Sequence, residues 1–247
     1  MCHSVRVSQI NDQARLAVLI DADNAHAKHL EQLLVEIAKY GTASVRRAYG
    51  DWTSTQLDRW KQPLLEHSVQ PIQQYSYTRG KNATDSALII DAMDILHAGT
   101  VDGFCLVSSD SDFTRLAARI REQGLTAYGF GERKTPKPFV AACDTFVYVE
   151  NLAGGDAPQA AATAGSWKPD KQLDALLSEA VNAAARDDDW AHLGPVGSNL
   201  SRIASDFDSR TWGFSKLKDL IAAHPGYEVR LRAPEQGKPK VIMVRAK

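Results

Sequence analysis

Leu16-Ala17-Val18-Leu19-Ile20-Asp21-Ala22-Asp23-Asn24 is the stretch on which the reading of this chain turns. An unbroken apolar run of this length marks a strand buried on both faces, as in parallel sheets. It stops abruptly in acid. The pattern returns in Gly103-Phe104-Cys105-Leu106-Val107, followed by Ser108-Ser109-Asp110-Ser111-Asp112. Ligands of open α/β sheets gather at the carboxyl ends of the strands, so two acidic clusters placed there are expected to converge. Converging carboxylates repel one another unless a cation lies between them. An oxygen-only donor set suits Mg²⁺ or Mn²⁺. The residues therefore point to metal-dependent chemistry on phosphate esters.

Around these two strands, short apolar runs alternate with amphipathic helices. Leu30, Leu33, Leu34 and Ile37 fall at helical spacing, and Gly41 ends that helix. Ala43 to Tyr49 reads as a strand, Leu57, Trp60, Leu64 and Leu65 mark a helix, and Val69 to Tyr75 a further strand. Asn82 or Thr84 can cap a helix carrying Ala87, Leu88, Ile90, Ala92, Ile95 and Leu96. After the Phe104 strand come a helix from about Phe113 to Gln123, a strand at Leu125 to Phe130, a short turn after Pro138 and a strand at Thr145 to Val149. Such alternation predicts an α/β domain with a doubly wound parallel sheet over residues 1–152.

Ala153 to Lys168 is rich in Ala, Gly, Pro, Ser and Thr without apolar periodicity, and a flexible linker is expected over 153–169. Beyond it lie three helices, near Asp170 to Arg186, Val196 to Ser205 and Ser215 to His224. Two alternating strands follow, Tyr227 to Arg232 and Lys240 to Arg245. Residues 170–247 therefore predict a second, smaller winged helix-turn-helix domain.

Composition narrows the classes. Over 247 residues the chain is 44% hydrophobic and 24% charged, as in soluble globular proteins, with a net charge of −1 that excludes a basic coat. From Ser209 onward, however, nine Lys and Arg stand against three acids, a balance of +6 that suits a polyanion or simply a solvated surface. Cys2, Cys105 and Cys143 show no paired spacing and suggest neither disulfides nor zinc. No run is long enough to span a bilayer and no signal-peptide pattern opens the chain, so a cytoplasmic, membrane-free protein is expected.

Three carboxylates are the expected cation ligands: Asp21, Asp110, and Asp85 from Arg79-Gly80-Lys81-Asn82-Ala83-Thr84-Asp85, where it falls in a first helical turn. Asp112 can stand beside Asp110, and Arg79 and Lys81 are placed to grip a phosphate. Plain helix capping accounts equally well for Asp112, or for Asp110 alone. Asp91 and Asp94 are expected to face solvent.

The order of these motifs resembles the NYN domain, a branch of the PIN-like ribonuclease superfamily in its LabA-like form, over about Leu16 to Leu152. The resemblance implies metal binding by Asp21, Asp85 and Asp110, with Asp112 as a further acidic member. It also implies that Asn24 orients water or phosphate and that Ser108 and Ser109 line the site. The segment Lys81-Asn82-Ala83-Thr84-Asp85 is longer than the Lys-Gly-x-Asp of many relatives.

From about Asp170 the chain resembles a LOTUS, or OST-HTH, domain. Trp190-Ala191-His192-Leu193-Gly194-Pro195-Val196-Gly197 and Phe207-Asp208-Ser209-Arg210-Thr211-Trp212-Gly213-Phe214-Ser215-Lys216-Leu217 carry this. It implies RNA binding or docking to RNA-handling proteins. Trp190, Trp212 and Phe214 are expected in the core, and Arg210, Lys216, Lys218, Lys238 and Lys240 at RNA. The joint expectation is a Mg²⁺- or Mn²⁺-dependent ribonuclease. Its rivals are a non-catalytic RNA-binding or regulatory protein and a haloacid-dehalogenase-type phosphatase, whose strand-Asp-x-Asp opening Asp21-Ala22-Asp23 copies. That phosphatase pattern expects a small hydroxyl residue soon after, where Asn24-Ala25-His26 stands.

Overall fold

A computed structural model describes residues 13–75, 83–152, 169–185, 189–232 and 240–247. Six strands form one sheet: β1 (Arg15–Asp21), β2 (Thr42–Gly50), β3 (Gln70–Gln73), β4 (Gly103–Val107), β5 (Thr126–Gly131) and β6 (Thr145–Tyr148), in the order β3-β2-β1-β4-β5-β6. β1 runs parallel to both β2 and β4, and places Ile20 opposite Val107 and Asp21 opposite Tyr49. The expected doubly wound sheet is thus present. Leu16 to Ile20 are wholly inaccessible to solvent, as the apolar run requires.

Between the strands lie α1 (Leu30–Ile37), α2 (Asp58–Glu66), α3 (Ala83–Ala98), α4 (Thr114–Glu122) and α5 (Lys137–Ala142). α5 replaces the expected short turn, with Pro136 and Pro138 at its start and Phe139 and Val140 buried. Thr84 lies inside α3 and is buried, so it is not the cap; Asn82 falls outside the described residues. Leu65 and Ile90 keep helical spacing yet face outward, 78% and 63% exposed. Asp91 departs from expectation too. It is half-buried, bound by the Tyr49 hydroxyl and the Arg47 guanidinium, and so ties α3 to β2.

The chain divides into two compact units, one built on residues up to Ser108 with Arg119–Ala127, the other on Ser109–Ala118 with Tyr128–Lys247. The second unit therefore holds β5 from Tyr128 on and β6 together with the C-terminal elements: α6 (Lys171–Ala184), β7 (Ala191–His192), α7 (Leu193–Ile203), α8 (Leu217–Ala223), β8 (Tyr227–Arg232) and β9 (Val241–Ala246). Three helices and an antiparallel sheet in the order β7-β9-β8 enclose Leu173, Leu177, Val196, Leu200, Leu220 and Val244. The short strand β7 was not foreseen. Asp170 caps α6, its carboxylate accepting the Leu173 N–H at 2.7 Å and the Trp212 indole N–H at 3.0 Å.

Within this unit β6 and the turn after it bond to the segment beyond α7. The Phe146 N–H donates to the Ser205 carbonyl at 2.7 Å, the Tyr148 hydroxyl to Asp206 at 2.8 Å, and the Asn151 amide to Thr211 at 3.1 Å. The expected linker lies outside the described residues.

Candidate metal centre and cationic face

The strand order reverses between β1 and β4, and this is the switch point at which open α/β sheets bind ligands. Asp21 ends β1 and is wholly buried. Its carboxylate accepts the Ser108 hydroxyl at 2.7 Å, the Asn24 amide at 2.9 Å, and the Asp23 and Asn24 backbone N–H groups at 3.2 and 3.3 Å. Burial raises the Asp21 pKa, and the donors from Ser108 and Asn24 oppose that rise without cancelling it. Asn24 is thus aimed at Asp21, as is Ser108. The Ser109 hydroxyl accepts the Glu132 N–H at 2.9 Å instead.

Beyond β4, Asp110 is extended and caps a 3-10 turn over Ser111–Phe113, accepting the Asp112 N–H at 2.9 Å. The capping role weighed from sequence is real. It also fixes the direction of the Asp110 carboxylate and brings Asp112 beside it. Asp85 lies in the first turn of α3 and is 9% exposed. One carboxylate oxygen from each of Asp85, Asp110 and Asp112 lies within 4.8 Å of the others. Burial falls from Asp85 through Asp110 to Asp112, so the cluster opens toward solvent. Among the described residues this is the group whose spacing suits one cation; Asp21 stands outside it. Three hard oxygen donors fit Mg²⁺ or Mn²⁺ and fit zinc or copper poorly. Arg79 and Lys81 lie outside the described residues.

The basic residues singled out from the C-terminal sequence are scattered. Arg210 is bonded to Asp208 at 2.6 Å, where Asp208 caps the 3-10 turn Ser209–Trp212. Gly213 then takes φ +84°, a left-handed conformation that only glycine adopts cheaply, and turns the chain toward α8. Lys216 and Lys218 are exposed at the start of α8, and Lys240 is exposed before β9. Lys238 lies outside the described residues.

Trp212 and Phe214 pack partly buried against the core, as expected. Trp190 does not join it. Its ring carries the guanidinium carbons of Arg230 and Arg245 at 4.9 and 4.8 Å. Sequence reading missed this cluster because only the pairing of β8 with β9 brings the two arginines to one ring. The missed Tyr49–Arg47–Asp91 clamp has the same kind of origin.

A family model described as the NYN domain matches residues 15–150, and one described as the OST-HTH/LOTUS domain matches residues 167–239. Among solved structures, the chain is similar to a protein of unknown function from Vibrio parahaemolyticus. The two are 20% identical with a TM-score of 0.51, over 59% of this chain and 98% of that one, a likeness of fold alone. It is also similar to an uncharacterized protein from Nitrosomonas europaea, 33% identical over 38% of this chain and 89% of that one. The TM-score there is 0.30, too low to carry a structural argument. No curated protein matches the chain.

Proposed function

Because the chain belongs to the NYN-domain family of PIN-like nucleases, we propose that it is a Mg²⁺- or Mn²⁺-dependent ribonuclease with an RNA-holding OST-HTH module. The observation that carries this is the meeting of Asp85, Asp110 and Asp112 within 4.8 Å at the sheet's switch point. We assign residues 1–152 to the nuclease domain, 153–169 to a linker and 170–247 to the module. No described helix is long and apolar enough to cross a membrane, and we place the protein's action in the cytoplasm.

In this reading Asp85, Asp110 and Asp112 hold the cation, and Asp21 adds a fourth carboxylate on the same sheet edge. A divalent ion bound there offsets charge developing on the phosphodiester and makes a nearby water more acidic. Asp21 is held in place by Ser108 and Asn24. Asp110 is held by its own cap. Arg79 and Lys81, just upstream of Asp85, are assigned to neighbouring phosphates, and Ser109 to the wall of the site. Arg210, Lys216, Lys218, Lys238 and Lys240 are assigned to RNA, and RNA-handling proteins are proposed as further partners of the module.

Labelled RNAs and DNAs incubated with Mg²⁺, with Mn²⁺ and with EDTA test the reading, with Asp110→Asn alongside. RNA cleavage that needs a metal and is lost in the variant is expected. Undiminished cleavage in EDTA overturns the metal role. RNA binding without cleavage in either metal returns the non-catalytic reading.

A further inference from the structure

The outer face of the C-terminal sheet is a second concentration of charge, built differently from the acidic edge. Side chains alternate along a strand, so Glu228, Arg230 and Arg232 of β8 share one face, while Tyr227 and Val229 turn toward the core. In the pairing of β8 with β9, Arg245 stands opposite Glu228 and Val241 opposite Arg232. Three arginines therefore share this face with one acid. Glu228 takes the Arg245 Nε–H at 2.7 Å, a second N–H from Arg245, and one from Arg230 at 3.2 Å. Each guanidinium has five N–H donors, so Glu228 organises the pair without using up its donors. Trp190 lies beneath both, and a guanidinium stacked on a ring loses less freedom when it later binds an oxyanion. Lys240 is exposed just before β9.

We propose that this Trp190–Arg230–Arg245 platform, together with Arg232, is the surface of the module that holds the phosphate backbone of single-stranded RNA. The inference rests on the reading of the module as RNA-binding and deepens it. The assignment moves the main contact from the start of α8 to the sheet face. Charge complementarity selects a polyanion. The pairing of Arg210 with Asp208 leaves the α8 side with less organised charge than the sheet.

Binding of an unstructured labelled RNA to the full chain, in EDTA and across a salt series, tests this. Arg230→Gln/Arg245→Gln should weaken binding at least tenfold at low salt. It should also reduce the salt slope by about 1.4, two contacts at about 0.7 each. Lys216→Gln/Lys218→Gln should do less. Glu228→Gln, which keeps one oxygen acceptor for the arginines and removes the negative charge, should tighten binding, a gain that misfolding cannot mimic. Wild-type binding that survives the double arginine change and is indifferent to Glu228→Gln overturns the platform but leaves the RNA reading standing. A wild-type chain without RNA affinity at low salt overturns both, and makes an acidic protein segment the partner to test.

Discussion

The acidic edge of the large sheet and the arginine face of the small one are both clusters of like charge, but they are assembled by different means. At the edge, main chain places each group: Asp21 closes a strand, Asp110 caps a turn, and Asp85 sits in the first turn of a helix. On the small sheet, Arg230 and Arg245 come from separate strands and are gathered by one indole and one carboxylate. In the first arrangement the place of each carboxylate follows from a strand end, a turn or a helix start. The second depends on the Trp190 ring and on an oxygen acceptor at position 228.

The difference can be broken most sharply at the edge. Asp85→Asn, Asp110→Asn or Asp112→Asn should each lower the RNA cleavage rate by about 10²-fold or more, the scale on which one electrostatic group at a reacting centre acts. Thermal melting in EDTA should show Asp85→Asn unchanged or raised, because one of three mutually repelling acids is gone. The same helix supplies the contrast. Asp91→Ala leaves the wholly buried Tyr49 without its acceptor, and urea unfolding should register a loss of about 1–3 kcal/mol.

Smaller effects are expected in the module. Asp170→Ala removes a helix cap and should cost about 1 kcal/mol in chemical unfolding. Donation from Leu173 and Trp212 holds the Asp170 carboxyl below its ordinary pKa. Its contribution is therefore complete above the unfolded pKa of about 3.9 and is lost as pH falls through the lower folded value. Wild type should lose stability over that acid limb, and Asp170→Asn should lose less. Trp190→Ala should cost about 1 kcal/mol or less at the half-exposed stack, while the melting of the module stays cooperative.

These two modes of assembly also explain what could be read from the sequence. The apolar run before Asp21, its repeat before Ser108, and Asp85 just inside a helix were legible because strand ends and helix starts are local signals. Asp112, for which a place in the acidic site and plain capping stand equal in the sequence, lies in the cluster, while Asp21, expected in it, stands outside and accepts from Ser108 and Asn24. Short-range periodicity says where a carboxylate leaves the main chain, not which of four neighbours its oxygens reach. Asp91 and Trp190 were misread for a related reason. Their partners Tyr49, Arg47, Arg230 and Arg245 are distant in sequence, and only strand and helix packing brings them in.

The central claim, that backbone topology gathers Asp85, Asp110 and Asp112 into one cation site, is tested most directly by Mn²⁺ binding to the full chain without RNA. Titration calorimetry on wild type and on the Asp21→Asn, Asp85→Asn, Asp110→Asn and Asp112→Asn variants gives the answer. The account predicts saturable binding in wild type, weakened at least tenfold by each change in the trio and less by Asp21→Asn. Wild-type binding no tighter than that of Asp110→Asn would contradict it.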